Sequence, residues 1–362
     1  MIIFIILLLY ISLLLLVMSG MHAVTEIDIN KQSKTAFSIL VPFKNEAENL
    51  TLLLKSLKKL NYPSELFEII MIDDNSDDNS VSIITNFDLP NIQLLSTKNT
   101  SKQGKKEALE LGVSQAKNDW IITTDADCQL PPDWLLAYNT AILQSDTKMV
   151  LAPVAFFDNA SFIGQLQHIE FLSLQAMTIA GCAWGKPFLS NGANLGFLKT
   201  AFQQVNGYKG NKHIASGDDV FLLEKFQQTF PGKISYLKTK SALVKTQIQK
   251  NRHSLLQQKV RWGAKTKHLQ SFLPKLIGGL VLLTNLFIPV CFVLGMTYSW
   301  CFSFVVAKFV IDYIYIKYIN RFFGVSINIV NFISVFFYYP LYLINLGIFG
   351  LKNRPEWKGR KI

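Results

Sequence analysis

A chain of 362 residues that is half apolar, with 27 Phe and a positive mean hydropathy, has more apolar surface than one soluble core of this size can cover. Its formal charge of +11 would suit either nucleic acid or an anionic membrane surface. The excess is uneven, however. Lys225 to Ile311 contains no Asp or Glu, and residues 242–271 carry seven Lys or Arg beside hydrocarbon-like stretches, which selects the membrane over nucleic acid. Cys128, Cys182, Cys291 and Cys301 follow no zinc-ligand or disulfide-framework spacing and suit a reducing compartment.

Residues 2–18 hold no charge and are nearly long enough to span a bilayer. They lack the basic opening of a signal peptide and precede a mediocre cleavage sequence, so residues 1–21 read as an uncleaved anchor. Phe37 to Phe43 is a strand-like run ending at Lys44-Asn45-Glu46, and Leu at helical spacing from Glu48 to Leu60 predicts a helix that Pro63 stops. Phe67 to Ile72 reads as a second strand leading into Asp73-Asp74-Asn75-Ser76-Asp77-Asp78. Ile92 to Leu95 reads as a third, followed by the polar loop Ser101 to Lys105 and a helix through Ala116. Trp120 to Thr123 is a fourth. Strands alternating with helices imply βαβ units and a mostly parallel sheet, with ligands bound beyond the carboxyl ends of the strands. The acidic clusters fall at those ends.

Further on, Gly164 to Ile179 is helical in pattern, and Asn191-Gly192-Ala193-Asn194-Leu195-Gly196-Phe197 reads as a flexible stretch. Ser216-Gly217-Asp218-Asp219 opens a helix through Phe226. After Gln270 come three candidate spans, Leu276 to Met296, Trp300 to Ile316 and Val325 to Phe349, with a basic link from Lys317 to Arg321. A full third crossing puts the basic tail Leu351 to Ile362 on the outer side, against the positive-inside tendency; alternatively, Pro340 marks a segment that enters and returns. The expected organisation is an anchor over 1–21, an α/β domain over 35–240, a basic interfacial region over 241–272, a membrane region over 275–350 and a basic tail over 351–362.

Asp125 and Asp127, at i and i+2 after a strand and with no histidine cluster, suit a hard divalent cation that keeps positions open for phosphate oxygens. An Asx-rich turn capping a helix is the plainer alternative. Asp218 and Asp219 open a helix after Gly217, where a carboxylate can act as cap or as base. Gln258, Arg261 and Trp262, spaced i, i+3, i+4, share one helical face. There Arg261 can pair with phosphate and the indole can stack on a sugar ring, or the helix can simply lie at a membrane interface.

In order, VPFKNEAENL, MIDDNSDD, TTDADC, SGDD and QQKVRW resemble the inverting glycosyltransferase 2 family, in its membrane-bound branch related to cellulose, chitin and hyaluronan synthases and ceramide glucosyltransferases. The resemblance runs from Phe37 to Trp262. It implies a GT-A-type α/β fold with transmembrane helices at both ends. Pro42 to Glu46, Asp73 and Asp74 would hold the nucleoside, and Lys105 the diphosphate. Asp125 and Asp127 match the family's DxD that holds Mg²⁺ or Mn²⁺, with Asp127 as the direct ligand, and Asp125 also serves the donor. Asp219 matches the catalytic base, with Asp218 beside it. Gln258, Arg261 and Trp262 match the acceptor- and diphosphate-binding QxxRW. The implied partners are a nucleotide-sugar donor, a membrane lipid or lipid-linked acceptor and the bilayer, with a homo-oligomer as an option. The implied location is a bacterial inner membrane with the catalytic domain in the cytoplasm. Chain-extending polysaccharide synthesis is the alternative activity, and sugar or lipid binding without catalysis the rival from another class.

Overall fold

The computed structural model describes every residue except 1, 31, 33, 99–103, 212–216, 267–270, 354–355, 358–359 and 362; the side chains of 266, 356–357 and 360–361 are also outside the description. The chain opens with helix α1 (Ile2–Ala23). Strand β1 (Phe37–Phe43), buried throughout, then begins an α/β array: α2 (Ala47–Leu57), β2 (Phe67–Asp73), α3 (Ser80–Thr85), β3 (Ile92–Ser96), α4 (Lys105–Gln115) and β4 (Trp120–Thr123). In α2, Leu50, Leu53, Leu54 and Leu57 are all buried, the i, i+3, i+4, i+7 stripe that a helix needs to cover a sheet. Gly112 lets α4 approach closely, since a Cβ there would lie 2.8 Å from Ile72 Cδ1.

The array continues with α5 (Trp134–Gln144), β5 (Met149–Leu151), β6 (Val154–Phe156), α6 (Phe162–Ala183), β7 (Leu195–Leu198), α7 (Lys199–Gln204), α8 (Asp218–Thr229), β8 (Ile234–Tyr236) and β9 (Val244–Thr246). The main sheet has the order β3-β2-β1-β4-β7-β5-β8, in which only β7 runs antiparallel to its neighbours. Because β1, β2 and β4 are parallel and in register, with Phe43 opposite Asp73 and Leu40 opposite Thr123, their carboxyl ends emerge at one edge. The loops carrying Glu46, Asp74 and Asp125 leave from there.

The stretch expected to be flexible is instead a short turn running into β7, in the middle of the sheet. Gly196 is required there by close packing: a Cβ would sit 2.6 Å from the Tyr138 ring. The polar residues of that turn are tied by side-chain hydrogen bonds, which composition does not reveal.

The remaining elements are α9 (Arg252–Thr266), α10 (Leu273–Leu294), α11 (Trp300–Phe323), α12 (Ile329–Lys352) and a two-stranded pair, β10 (Glu356–Trp357) with β11 (Arg360–Lys361). Two compact units result: Val24–Phe157 with Gly181–Gln247, and Met1–Ala23 with Asp158–Ala180 and Ile248–Ile362. The α/β unit is therefore interrupted, where the sequence reading runs 35–240 as one block.

In the helical unit, Leu7, Ile288, Cys291, Cys301, Phe304, Val305 and Phe336 form one buried cluster, and Leu166, Leu255, Leu256, Val335 and Tyr342 another. Among the described residues, three helices are long and apolar enough to cross a membrane: α1, α10 and α12. Each reaches about 33 Å or more at 1.5 Å per residue, enough for a hydrocarbon core of about 30 Å. Two expectations change. The segment Trp300 to Ile316 is helical but is not among the three, because α11 carries Lys308, Asp312 and Lys317, and the basic link is simply its last turns. Val325 to Phe349 does not turn back at Pro340, since α12 runs through it unbroken.

Candidate active site

Pro42 lies inside β1, opposite Ile72. The loops beyond β1 and β2 are stitched together. Asn45 N–H donates to Ser76 Oγ at 3.0 Å, Asp77 N–H to Asn45 Oδ1 at 2.8 Å and Glu46 N–H to Ser80 Oγ at 2.8 Å. Asn45 and Asn75 sit at positive φ, a conformation that Asn tolerates better than most residues. Glu46, half-buried, accepts from Asn49 Nδ2 at 2.7 Å. Asp73 and Asp74 are both buried. Asp73 Oδ1 takes the Ser76 N–H at 2.9 Å, while Asp74 Oδ1 takes the Gly104 N–H at 2.9 Å and the Thr97 hydroxyl at 3.1 Å. Asp74 thereby fixes the start of α4, and with it Lys105. Ser101, Lys102 and Gln103 of that loop lie outside the described residues.

From the first position of α4, Lys105 Nζ donates to Asp125 Oδ1 at 2.7 Å and lies 3.4 Å from Asp218 Oδ2. Burial works against its charge, but Asp125 and Asp218 outweigh it and hold the ammonium well above the usual lysine range. Asp127 shows the opposite imbalance. Burial, with the negative charges of Asp125 and Glu46, pushes its carboxyl up to about 7, although Thr246 and Lys105 pull it down. Thr246 comes from β9, which an antiparallel bridge between Gln129 and Lys245 ties to the same loop.

The oxygen-only donors and the mutual repulsion of these carboxylates fit a hard divalent cation. Among the described residues no cluster of three or more His, Cys, Asp or Glu could hold a metal alone, so such an ion needs further ligands from water or phosphate.

Asp218 and Asp219 occupy the first turn of α8, where the helix dipole favours negative charge, after Gly217 at φ +79°. Asp219 Oδ1 accepts from Val220 N–H at 2.7 Å, and Oδ2 from Gly192 N–H at 3.3 Å. Five expected residues are thus linked in one place: Lys105 to Asp125 and Asp218, Asp219 beside Asp218, and Asp127 beside Asp125. His213, whose place shortly before Asp218 and Asp219 would let it touch the donor, lies outside the described residues.

Gln258, Arg261 and Trp262 sit on α9 of the helical unit. The best-defined partner there is a residue between them: Lys259 pairs with Glu170 at 2.6 Å and lies 4.4 Å from the centre of the Trp262 ring. Glu170, from α6, also accepts from the Tyr339 hydroxyl of α12 at 3.5 Å.

Sequence reasoning missed Gly192 and Asn194. Trp134 Nε1 and the Tyr138 hydroxyl both donate to Asn194 Oδ1 at 2.9 Å, and Asn194 Nδ2 donates to the carbonyls of Pro153 and Ala242 at 2.8 Å. The strand-like Leu195 to Leu198 just after them was the available signal.

The sequence model described as "Glycosyl transferase family 2" matches residues 38–205. This chain carries a family 2 glycosyl transferase domain. The undecaprenyl-phosphate 4-deoxy-4-formamido-L-arabinose transferase of Yersinia enterocolitica is 36% identical over 26% of the chain, a match spanning 30% of that transferase's length. The poly-beta-1,6-N-acetyl-D-glucosamine synthase of Staphylococcus epidermidis is 27% identical over 84% of the chain and 73% of the synthase. Among solved structures, the mannosyltransferase PcManGT of Pyrobaculum calidifontis, in complex with GDP-Man and Mn²⁺, aligns over 96% of the chain and 95% of its own at 15% identity and a TM-score of 0.57. The mostly parallel GT-A-type α/β fold with apolar helices at both ends is thus confirmed.

Proposed function

We propose that the protein is a membrane-bound inverting glycosyltransferase that moves one sugar from a nucleotide-sugar, a UDP-sugar, to a lipid or lipid-linked acceptor at the cytoplasmic face of a bacterial inner membrane. The observation that carries this reading is the linked group Asp125, Asp127, Lys105, Asp218 and Asp219 beyond the carboxyl ends of the strands. The loops of Pro42 to Glu46 and of Asp73 and Asp74 hold the nucleoside, and Lys105 meets the diphosphate with a charge-assisted hydrogen bond. Asp127, with Asp125, would hold Mg²⁺ or Mn²⁺, which supplies charge neutralisation at the leaving diphosphate. Asp219 accepts the proton of the acceptor hydroxyl as its oxygen bonds to the anomeric carbon from the face opposite the diphosphate. The bond from that carbon to the diphosphate oxygen breaks, and the nucleoside diphosphate leaves with the electron pair. Gln258, Arg261 and Trp262 serve the acceptor side.

The undecaprenyl-phosphate transferase supports a lipid-linked acceptor. The N-acetylglucosamine polymer synthase, aligned over most of this chain, supports a second reading in which sugars are added repeatedly.

The test is turnover of UDP-sugars by lipid-reconstituted protein with Mn²⁺ or Mg²⁺, read as nucleoside diphosphate release and product mass. One added hexose on a lipid supports the first reading, and a ladder the second. Asp219→Asn should lower turnover about 10²- to 10⁴-fold, the usual worth of a general base, with donor binding kept. Full turnover by that variant ends the base assignment.

A further inference from the structure

The turn Asn191–Asn194 lies against the carboxylates just described, yet none of its residues is needed by the chemistry above. Gly192 N–H donates to Asp219 Oδ2, and Gly192 C=O accepts from the buried Thr123 hydroxyl of β4 at 2.7 Å. The peptide groups around Gly192 are thus held from both sides. Asn191 Oδ1 accepts from Ala193 N–H at 3.0 Å and closes the turn. Asn194, 1% exposed, makes all four hydrogen bonds named earlier, so its amide has one orientation in which every donor meets an acceptor. Gly192 also leaves room: a Cβ there would come within 3.1 Å of Asp218 Oδ2, 3.5 Å of Lys105 Nζ and 3.8 Å of Asp219 Cβ. Its backbone is not at a positive φ, so the glycine answers to space rather than to conformation.

We infer that this turn is a positioning device for the base. Asn194 and Gly192 are positioning residues, Asn194 by locking the turn into the core and Gly192 by presenting its N–H to Asp219 while keeping its Cβ side open beside Lys105 and Asp218. This rests on the reading of Asp219 as base. Tyr138 matters through Asn194: its hydroxyl is one of two donors that orient the amide.

Two variants separate the parts. Gly192→Ala keeps an allowed backbone but puts a methyl among Lys105, Asp218 and Asp219. Tyr138→Phe removes one donor to Asn194 and leaves the ring that packs on Gly196. With UDP-glucose or UDP-N-acetylglucosamine, whichever the wild type turns over, and Mn²⁺, both should lower kcat, Gly192→Ala by about 10- to 100-fold, as expected when a reacting group is displaced by a fraction of an ångström to an ångström. Donor KM should move little for Tyr138→Phe. The control Tyr62→Phe, which removes a hydroxyl bonded to Thr35 C=O away from the turn, should keep its kcat.

A second readout needs no substrate. Amide hydrogen exchange of the peptide 191–195 should be as slow as in the central strands, and faster in Tyr138→Phe. Unchanged kcat in Gly192→Ala while Asp219→Asn is inactive overturns the positioning role and leaves the glycosyltransferase reading intact. Exchange at 191–195 as fast as in an open loop overturns it even where no donor is turned over, and that silence would count against the proposed function instead.

Discussion

The two units treat buried charge in opposite ways. In the α/β unit, Asp125, Asp127, Asp218 and Asp219 gather around Lys105, and burial together with the negative charges of Asp125 and Glu46 holds Asp127 up to about 7. In the helical unit, the pair of buried Lys308 with Asp312 is closed off. Lys308, 1% exposed, pairs with Asp312 one turn away at 2.6 Å and lies 5.0 and 5.2 Å from the rings of Tyr10 and Phe336; the Tyr10 hydroxyl donates to the second Asp312 oxygen at 2.7 Å. In this cluster the one positive charge faces one negative charge, and each Asp312 oxygen has a donor. A closed cluster needs nothing from outside and serves packing. An open one stores unfavourable energy that an incoming cation can relieve, which is the signature expected of a site.

The largest effect should come from opening the closed cluster. Lys308→Met leaves Asp312 charged among apolar helices and should destabilise the helical unit by about 3–5 kcal/mol, whereas Lys308→Met with Asp312→Leu should recover most of that loss. Unfolding in mild detergent checks it, and a double variant as unstable as the single one would refute a pair held by mutual neutralisation. Lys105→Met opens the other cluster further. We expect donor binding to weaken about 10- to 100-fold through loss of a charged hydrogen bond. The thermal midpoint without metal should fall as well, and Mn²⁺ should restore more of it in this variant than in the wild type. A midpoint indifferent to Mn²⁺ in both proteins would argue that no cation enters the site.

The difference between the units also explains what the sequence could disclose. The parallel strands were legible because each is an apolar run ending in acidic residues, and Asp125, Asp127 and Asp219 followed from their position after strand or turn. Lys308 and Asp312 were passed over inside a candidate span because their compensation comes partly from Tyr10, about 300 residues away in sequence. Asn194 escaped for the same reason. Its partners Trp134, Tyr138, Pro153 and Ala242 meet only in the fold, so a residue fixed by four hydrogen bonds read as part of a flexible stretch. Patterns with a short period survive in sequence, and pairings across long separations do not.

The smallest effect expected is at Tyr10, and it is the most specific. Tyr10→Phe keeps the ring beside Lys308 and removes only the hydrogen bond to Asp312, whose charge Lys308 still balances. We expect a loss of about 1–2 kcal/mol, toward the lower end for hydrogen bonds to charged groups. The same change in the Lys308→Met, Asp312→Leu background should have almost no effect, since the hydroxyl then has no carboxylate to meet. A double-mutant cycle across these variants measures the coupling between α1 and α11 directly. An equal loss in both backgrounds would mean that Tyr10 acts by packing alone, and that the first helix is bound to α11 by apolar contact rather than by a polar lock.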